Sequence, residues 1–118
     1  MNKKELKFAG LTKAEIEALK EKHGYVELYE VPTGEVEDEE NKASFILTKP
    51  SRKVIMAMAK YAQEKDLDRA NNVLIKSCVL AGDMEALDEE KGSTDVYLSV
   101  LDRLGKLTEV KKGAVKKL

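Results

Sequence analysis

The chain has no tryptophan, one cysteine, one histidine and two prolines, and only 5% of its 118 residues are aromatic. Each scarcity removes a class of structure or chemistry. A lone Cys78 closes no internal disulfide, which suits a reducing compartment better than a stapled secreted scaffold. One histidine beside one cysteine leaves no ligand set for a zinc or iron centre within one chain. No apolar run nears the roughly 18–20 residues that cross a bilayer. The opening Met1-Asn2-Lys3-Lys4-Glu5 leads into no signal-type apolar segment, so secretion is not expected. Lys and Arg number 21 against 22 for Asp and Glu, a net charge of −1. That balance lacks the cationic excess of a dedicated nucleic-acid binder. The seven glycines form neither a GxGxxG nor a Walker pattern, so no phosphate-cradling loop is indicated.

What is present is charge, at 36% of residues, laid over short periodic apolar runs. Thr12-Lys13-Ala14-Glu15 has the spacing of a capping box, with Ile16 and Leu19 following at helical intervals and Gly24 placed as a left-handed stop. A short helix is expected from Thr12 to about His23. Tyr25 to Val31 then alternates with period two, putting Val26 and Leu28 on one face and Tyr25, Glu27, Tyr29 and Val31 on the other. Ser44 to Thr48 is a second β-prone run, and Glu35, Glu37, Asp38, Glu39 and Glu40 lie between the two. Burying five carboxylates would carry a large desolvation penalty, so an antiparallel pair joined by a solvated acidic loop is expected.

The period returns to 3.6 after Pro50, with Ser51 as N-cap. Val54, Met58 and Tyr61 form one stripe and Ile55, Ala59 and Ala62 its neighbour. A second helix, from Asp66 or Asp68 to a stop at Gly82, aligns Leu67, Ala70, Leu74, Cys78 and Ala81. The short link around Lys65-Asp66 makes the two an antiparallel pair. A third helix begins at Ser93-Thr94-Asp95, carries Tyr97, Val100, Leu101 and Leu104, and is expected to stop at Gly105. The fold class expected is α+β, predominantly helical: a short N-terminal helix, a two-stranded antiparallel pair, then three helices packed on it. Residues 1–105 are expected to form one compact domain and 106–118 a basic tail. The expected core is Leu28, Ile46, Val54, Met58, Leu74, Cys78, Tyr97 and Leu101.

Few residues invite chemistry. His23 falls at a helix C-terminus, where an imidazolium complements the dipole, and no nucleophile is indicated beside it. Cys78 lies on an apolar helix face, without the adjacent base a thiolate needs. Asp83, Glu85, Asp88, Glu89 and Glu90 lack the alternation and the sharp-turn glycine of a calcium loop. Lys49, Arg52 and Lys53 surround Pro50 and Ser51, a basic helix start that can contact phosphate, with acidic loops nearby opposing a nucleic-acid role. No catalytic residue, cofactor or metal is therefore expected, and the protein is not expected to be an enzyme.

Two segments carry a resemblance. Phe45-Ile-Leu-Thr-Lys-Pro-Ser-Arg-Lys53 leads into an alanine- and methionine-rich helix. Arg69-Ala-Asn-Asn-Val-Leu-Ile-Lys-Ser-Cys-Val-Leu-Ala-Gly-Asp83 leads into an acidic loop and a Tyr/Leu helix. Over roughly residues 25–105 the chain resembles small tail assembly chaperones of long-tailed bacteriophages and prophages. It departs from them at Val79 and Leu80, where a large aromatic often follows the cysteine. The resemblance implies a cytoplasmic protein of a bacterial host that binds the tape-measure protein and helps recruit tail-tube subunits. It also implies that a longer product can arise by frameshifting near the end of the short form, with Lys111-Lys112 and Lys116-Lys117 as candidate slip sites.

The competing expectation is a small intracellular regulatory or adaptor protein that binds another protein through its helical face. In either case the locally basic end, Lys106, Lys111, Lys112, Lys116 and Lys117 against Glu109, is the candidate partner-binding segment, and it can also join copies into a homo-oligomer. No membrane or nucleic-acid partner is expected.

Overall fold

A computed structural model describes residues 7–33, 42–108 and 113–117. The fold is α+β. A two-residue hairpin, β1 (Lys7–Phe8) and β2 (Leu11–Thr12), turns through Ala9 and Gly10, both at positive φ, and runs into helix α1 (Lys13–His23). The capping box is formed: Thr12 Oγ1 accepts from the Glu15 amide at 3.3 Å, and Glu15 Oε1 accepts from the Thr12 amide at 3.1 Å. Gly24, at φ 80°, ends the helix in the left-handed conformation, as its position predicts.

Strand β3 (Glu27–Pro32) pairs antiparallel with β4 (Lys42–Leu47), with Leu28 opposite Ile46 and Tyr29 opposite Phe45. The intervening acidic run, for which a solvated loop is expected, lies outside the described residues. Helix α2 (Arg52–Gln63) is capped by Ser51 and helix α3 (Leu67–Cys78) by Asp66, through side-chain oxygens accepting from Val54 and Arg69 amides. The link Glu64–Asp66, with Lys65 at φ 61°, folds α3 back along α2.

Helix α3 does not run on to Gly82. It stops at Cys78, and Val79–Gly82 becomes β5, a third strand on the other edge of β4. The physical reason is the open edge of β4. The Thr48 amide donates to the Cys78 carbonyl at 2.8 Å and the Asp83 amide to the Ser44 carbonyl at 3.1 Å. Val79 and Leu80 suit an extended backbone as well as a helix, so the sheet's unpaired groups decide. The expected two-stranded pair is thus a three-stranded sheet in the order β3-β4-β5. A 3₁₀ turn (Met84–Leu87) follows, and helix α4 (Thr94–Leu107), capped by Ser93, continues through Gly105, where a stop is expected.

The core lies between one face of the sheet and helices α3 and α4. Val31 of β3, Ala43, Phe45 and Leu47 of β4, and Val79 of β5 meet Leu74, Cys78, Val96, Val100 and Leu104. Of the expected core, Leu74 and Cys78 are in this cluster. Ile46 is fully buried but, by strand alternation, on the opposite face of the sheet. Leu28, on that same opposite face, is 51% exposed, so β3 is inverted from the expectation: Tyr29 and Val31 face inward. Val54, Met58, Tyr97 and Leu101 are half-buried rather than enclosed. In α4 the innermost line is Val96-Val100-Leu104, each fully buried, rotated one position from the expected Tyr97-Leu101 line.

Candidate functional site

The lysines proposed for partner binding are not gathered into a site among the described residues. Lys106 sits in the last turn of α4, where a cation complements the helix dipole, and its Nζ lies 3.4 Å from Asp102 one turn earlier. Lys116 and Lys117 are exposed beside Val115, which is 95% exposed. Lys111 and Lys112 lie outside the described residues.

The residues that do converge sit at one end of the sheet. Arg103 of α4 donates through Nε to Glu27 Oε1 of β3, and the Tyr25 hydroxyl donates to Glu27 Oε2 at 3.0 Å. Lys49 Nζ stands 4.5 Å above the Tyr25 ring, and the buried Thr48 hydroxyl donates to the Tyr25 carbonyl at 2.7 Å. The Arg103 guanidinium holds the Glu27 carboxyl below its ordinary range, and the bond to Glu27 pushes the Tyr25 phenol up. Next to this cluster, the Tyr29 hydroxyl lies 2.7 Å from Ser99 Oγ. Both Glu27 carboxylate oxygens accept from other members, one from Arg103 and one from Tyr25. The arrangement fastens β3 to α4.

Elsewhere the chemistry-bearing residues are dispersed. His23 is exposed at the end of α1. Cys78 is buried, and desolvation pushes its thiol up to about 11, far from a reactive thiolate. Among the described residues no three His, Cys, Asp or Glu side chains stand close enough to share a metal ion. A hollow of about 570 Å³ opens at the far end of the sheet, between Lys42, Gly82, Asp83, Met84 and Glu85. Its Asp83 carboxylate is already committed, accepting from the Ser44 amide at 2.8 Å.

The surface that stands out is the outer side of α2. Val54, Ala57, Met58 and Tyr61 turn toward α3 and the core, which leaves Arg52, Met56, Ala59 and Gln63 on the outward line. Met56 is 63% exposed, and Ile55 beside it 44%. The helix contains no Asp or Glu, only Arg52, Lys53 and Lys60. Among the described residues none of these three cations enters an ion pair.

No protein-family model, characterised protein or solved structure matches the chain. The site is therefore read from its own residues. The sequence marks Arg52 and Lys53 as a basic helix start and Ile55-Ala59-Ala62 as an apolar stripe. It did not mark their union as a surface. The signal available was the carboxylate-free run from Asn41 to Gln63, which carries Lys42, Lys49, Arg52, Lys53 and Lys60. The Glu27–Arg103 pair, by contrast, spans 76 positions and leaves no mark in local spacing.

Proposed function

We propose that the protein is a non-enzymatic tail assembly chaperone of a long-tailed phage or prophage. It binds the tape-measure protein in the host cytoplasm, keeps it soluble, and helps recruit tail-tube subunits. The observation that supports this reading is the passage from α3 into β5. The second of the two segments that resemble tail assembly chaperones carries Ala70, Leu74, Cys78, Gly82 and Asp83. Each has a defined place in that passage. Ala70, Leu74 and Cys78 form the buried line of α3, Gly82 sits at φ 139° against β4, and Asp83 bonds back to Ser44. The motif thus specifies a helix–strand joint, a feature of architecture that leaves the surface free to hold a partner.

A small charged module of this kind suits a long helical client whose apolar seam would otherwise aggregate. In this reading Lys106, Lys111, Lys112, Lys116 and Lys117 supply a second, electrostatic contact to protein partners or to neighbouring copies. Contacts of that kind are worth about 0–1 kcal/mol each and fade with salt.

The test is to locate a long coiled-coil gene downstream of this one and to co-express the two products. The expected result is a soluble complex that survives gel filtration, with the long protein aggregating when expressed alone. A long protein equally soluble alone and never co-eluting overturns the reading. So does a gene neighbourhood with neither a tail-tube gene nor a long coiled-coil gene, which favours the regulatory or adaptor alternative.

A further inference from the structure

We propose that the outer face of α2 docks an acidic amphipathic helix of a partner protein. The inference rests on the preceding reading only in that the protein acts by binding protein. Three observations carry it. First, α2 exposes Met56 and Ile55, two large apolar side chains one turn from a small Ala59, on a helix whose other side is already packed on α3. Second, Arg52, Lys53 and Lys60 border that apolar strip with no carboxylate on the helix and no ion-pair partner among the described residues. Third, two of those cations occupy the first turn, where the helix dipole repels them. The other three helices carry Glu15, Asp68 and Asp95 in that turn. An approaching carboxylate relieves the mismatch and meets the first-turn amides as well.

The geometry fits a helix. Arg52, Met56, Ala59 and Gln63 fall at intervals of four, three and four residues, the spacing of a seam along one helix face. Ala59 at its middle permits close approach, and twelve residues give a seam of about 18 Å. A partner helix of similar length would lay apolar residues on Met56 and Ile55 and place Glu or Asp beside Arg52, Lys53 and Lys60. The strip carries no exposed aromatic and only two large apolar side chains. That is narrower than the face of a helix that rests in a bilayer. Phosphate recognition, in turn, would give Met56 and Ile55 no part.

The experiment uses the full chain, isotopically labelled for NMR, and three probes. One is a heptad peptide with leucine at the a and d positions and glutamate at e and g. The second is the same peptide with lysine at e and g. The third is a vesicle of phosphatidylglycerol and phosphatidylcholine. The expected result is saturable binding of the glutamate peptide, with amide shifts concentrated at Arg52, Met56, Ala59, Lys60 and Gln63. Met56→Glu, and separately Arg52→Glu with Lys53→Glu, should each weaken it about tenfold or more. The double variant should also melt higher than the parent, because it corrects the first turn, so loss of binding cannot be laid to unfolding. Equal binding of the lysine peptide, shifts centred on another element, vesicle binding in place of peptide binding, or no binding at all overturns the proposal. Peptide binding at α2 without co-purification of the tape-measure protein sinks the tail reading and leaves this surface standing. Co-purification undiminished by the α2 variants does the reverse.

Discussion

Asp83 and Ser44 hold each other by two reciprocal hydrogen bonds. The Ser44 amide donates to Asp83 Oδ2 at 2.8 Å, and the Asp83 amide donates to the Ser44 carbonyl at 3.1 Å. The pair locks the end of β5 to β4 and fixes where the chain leaves the sheet for the 3₁₀ turn. Asp83→Ala should cost about 1–2 kcal/mol, within the range for a charge-assisted bond at an accessible position. Thermal unfolding of the variant measures it.

Gly82 is the neighbour that makes the joint possible. At φ 139° a Cβ would stand 2.3 Å from the Ser44 carbonyl oxygen and 2.8 Å from the Phe45 Cα, both backbone atoms that cannot step aside. Gly82→Ala should therefore destabilise by more than the roughly 1 kcal/mol usual for a glycine at positive φ. Gly105 is the contrast. It sits inside α4 with open space around it. Gly105→Ala should stabilise by about 0.5–1 kcal/mol through helix propensity. Opposite signs in two denaturant titrations check both statements.

Much of this joint was hidden in the sequence, for a definite reason. Val79, Leu80 and Ala81 continue the apolar face of α3 and also suit a strand, and only the unpaired edge of β4, more than thirty positions away, decides between them. The face of β3 was lost in a similar way. Leu28 and Tyr29 are both apolar enough to face inward, and the choice of Tyr29 depends on Ser99 in α4. Local signals read correctly: the Thr12–Glu15 capping box, the Ser51 cap, the Gly24 stop and the antiparallel pairing of β3 with β4 are all as their residues predict. The β1–β2 hairpin, two residues to a strand, is too short for any periodicity to register. The outer face of α2 was half legible, as a stripe and a charge pattern whose common exposure only the packing of α3 reveals.

The inversion of β3 has a direct consequence for core variants. Leu74→Ala, at a position 3% exposed, should cost about 2–5 kcal/mol. Leu28→Ala, at a half-exposed position, should stay below about 1 kcal/mol. Similar losses at both sites would return Leu28 to the core.

Acid sensitivity should involve Glu27. Its carboxyl is held below the ordinary value of 4.5 by Arg103. A depressed folded value means that this contribution is fully present above about pH 4.5 and is lost as pH falls through the lower folded value. Glu27→Gln should be less stable than the parent near neutrality and should lose less on acidification. Parallel melting-temperature curves for the two proteins below pH 4.5 would contradict that assignment.

The thiol of Cys78 should be inert in the folded protein, since it is enclosed and raised to about 11. A chromogenic disulfide reagent at neutral pH should react with it at the rate of unfolding, and quickly in denaturant. Fast, denaturant-independent labelling would contradict its burial.

The measurement that tests the central claim most directly is hydrogen–deuterium exchange of the full chain, alone and with the long coiled-coil client that the proposed function requires. The account predicts added protection concentrated in Arg52–Gln63, with the amides of β3, β4 and β5 unchanged. Exchange identical with and without the client, or protection that spares α2, would contradict it.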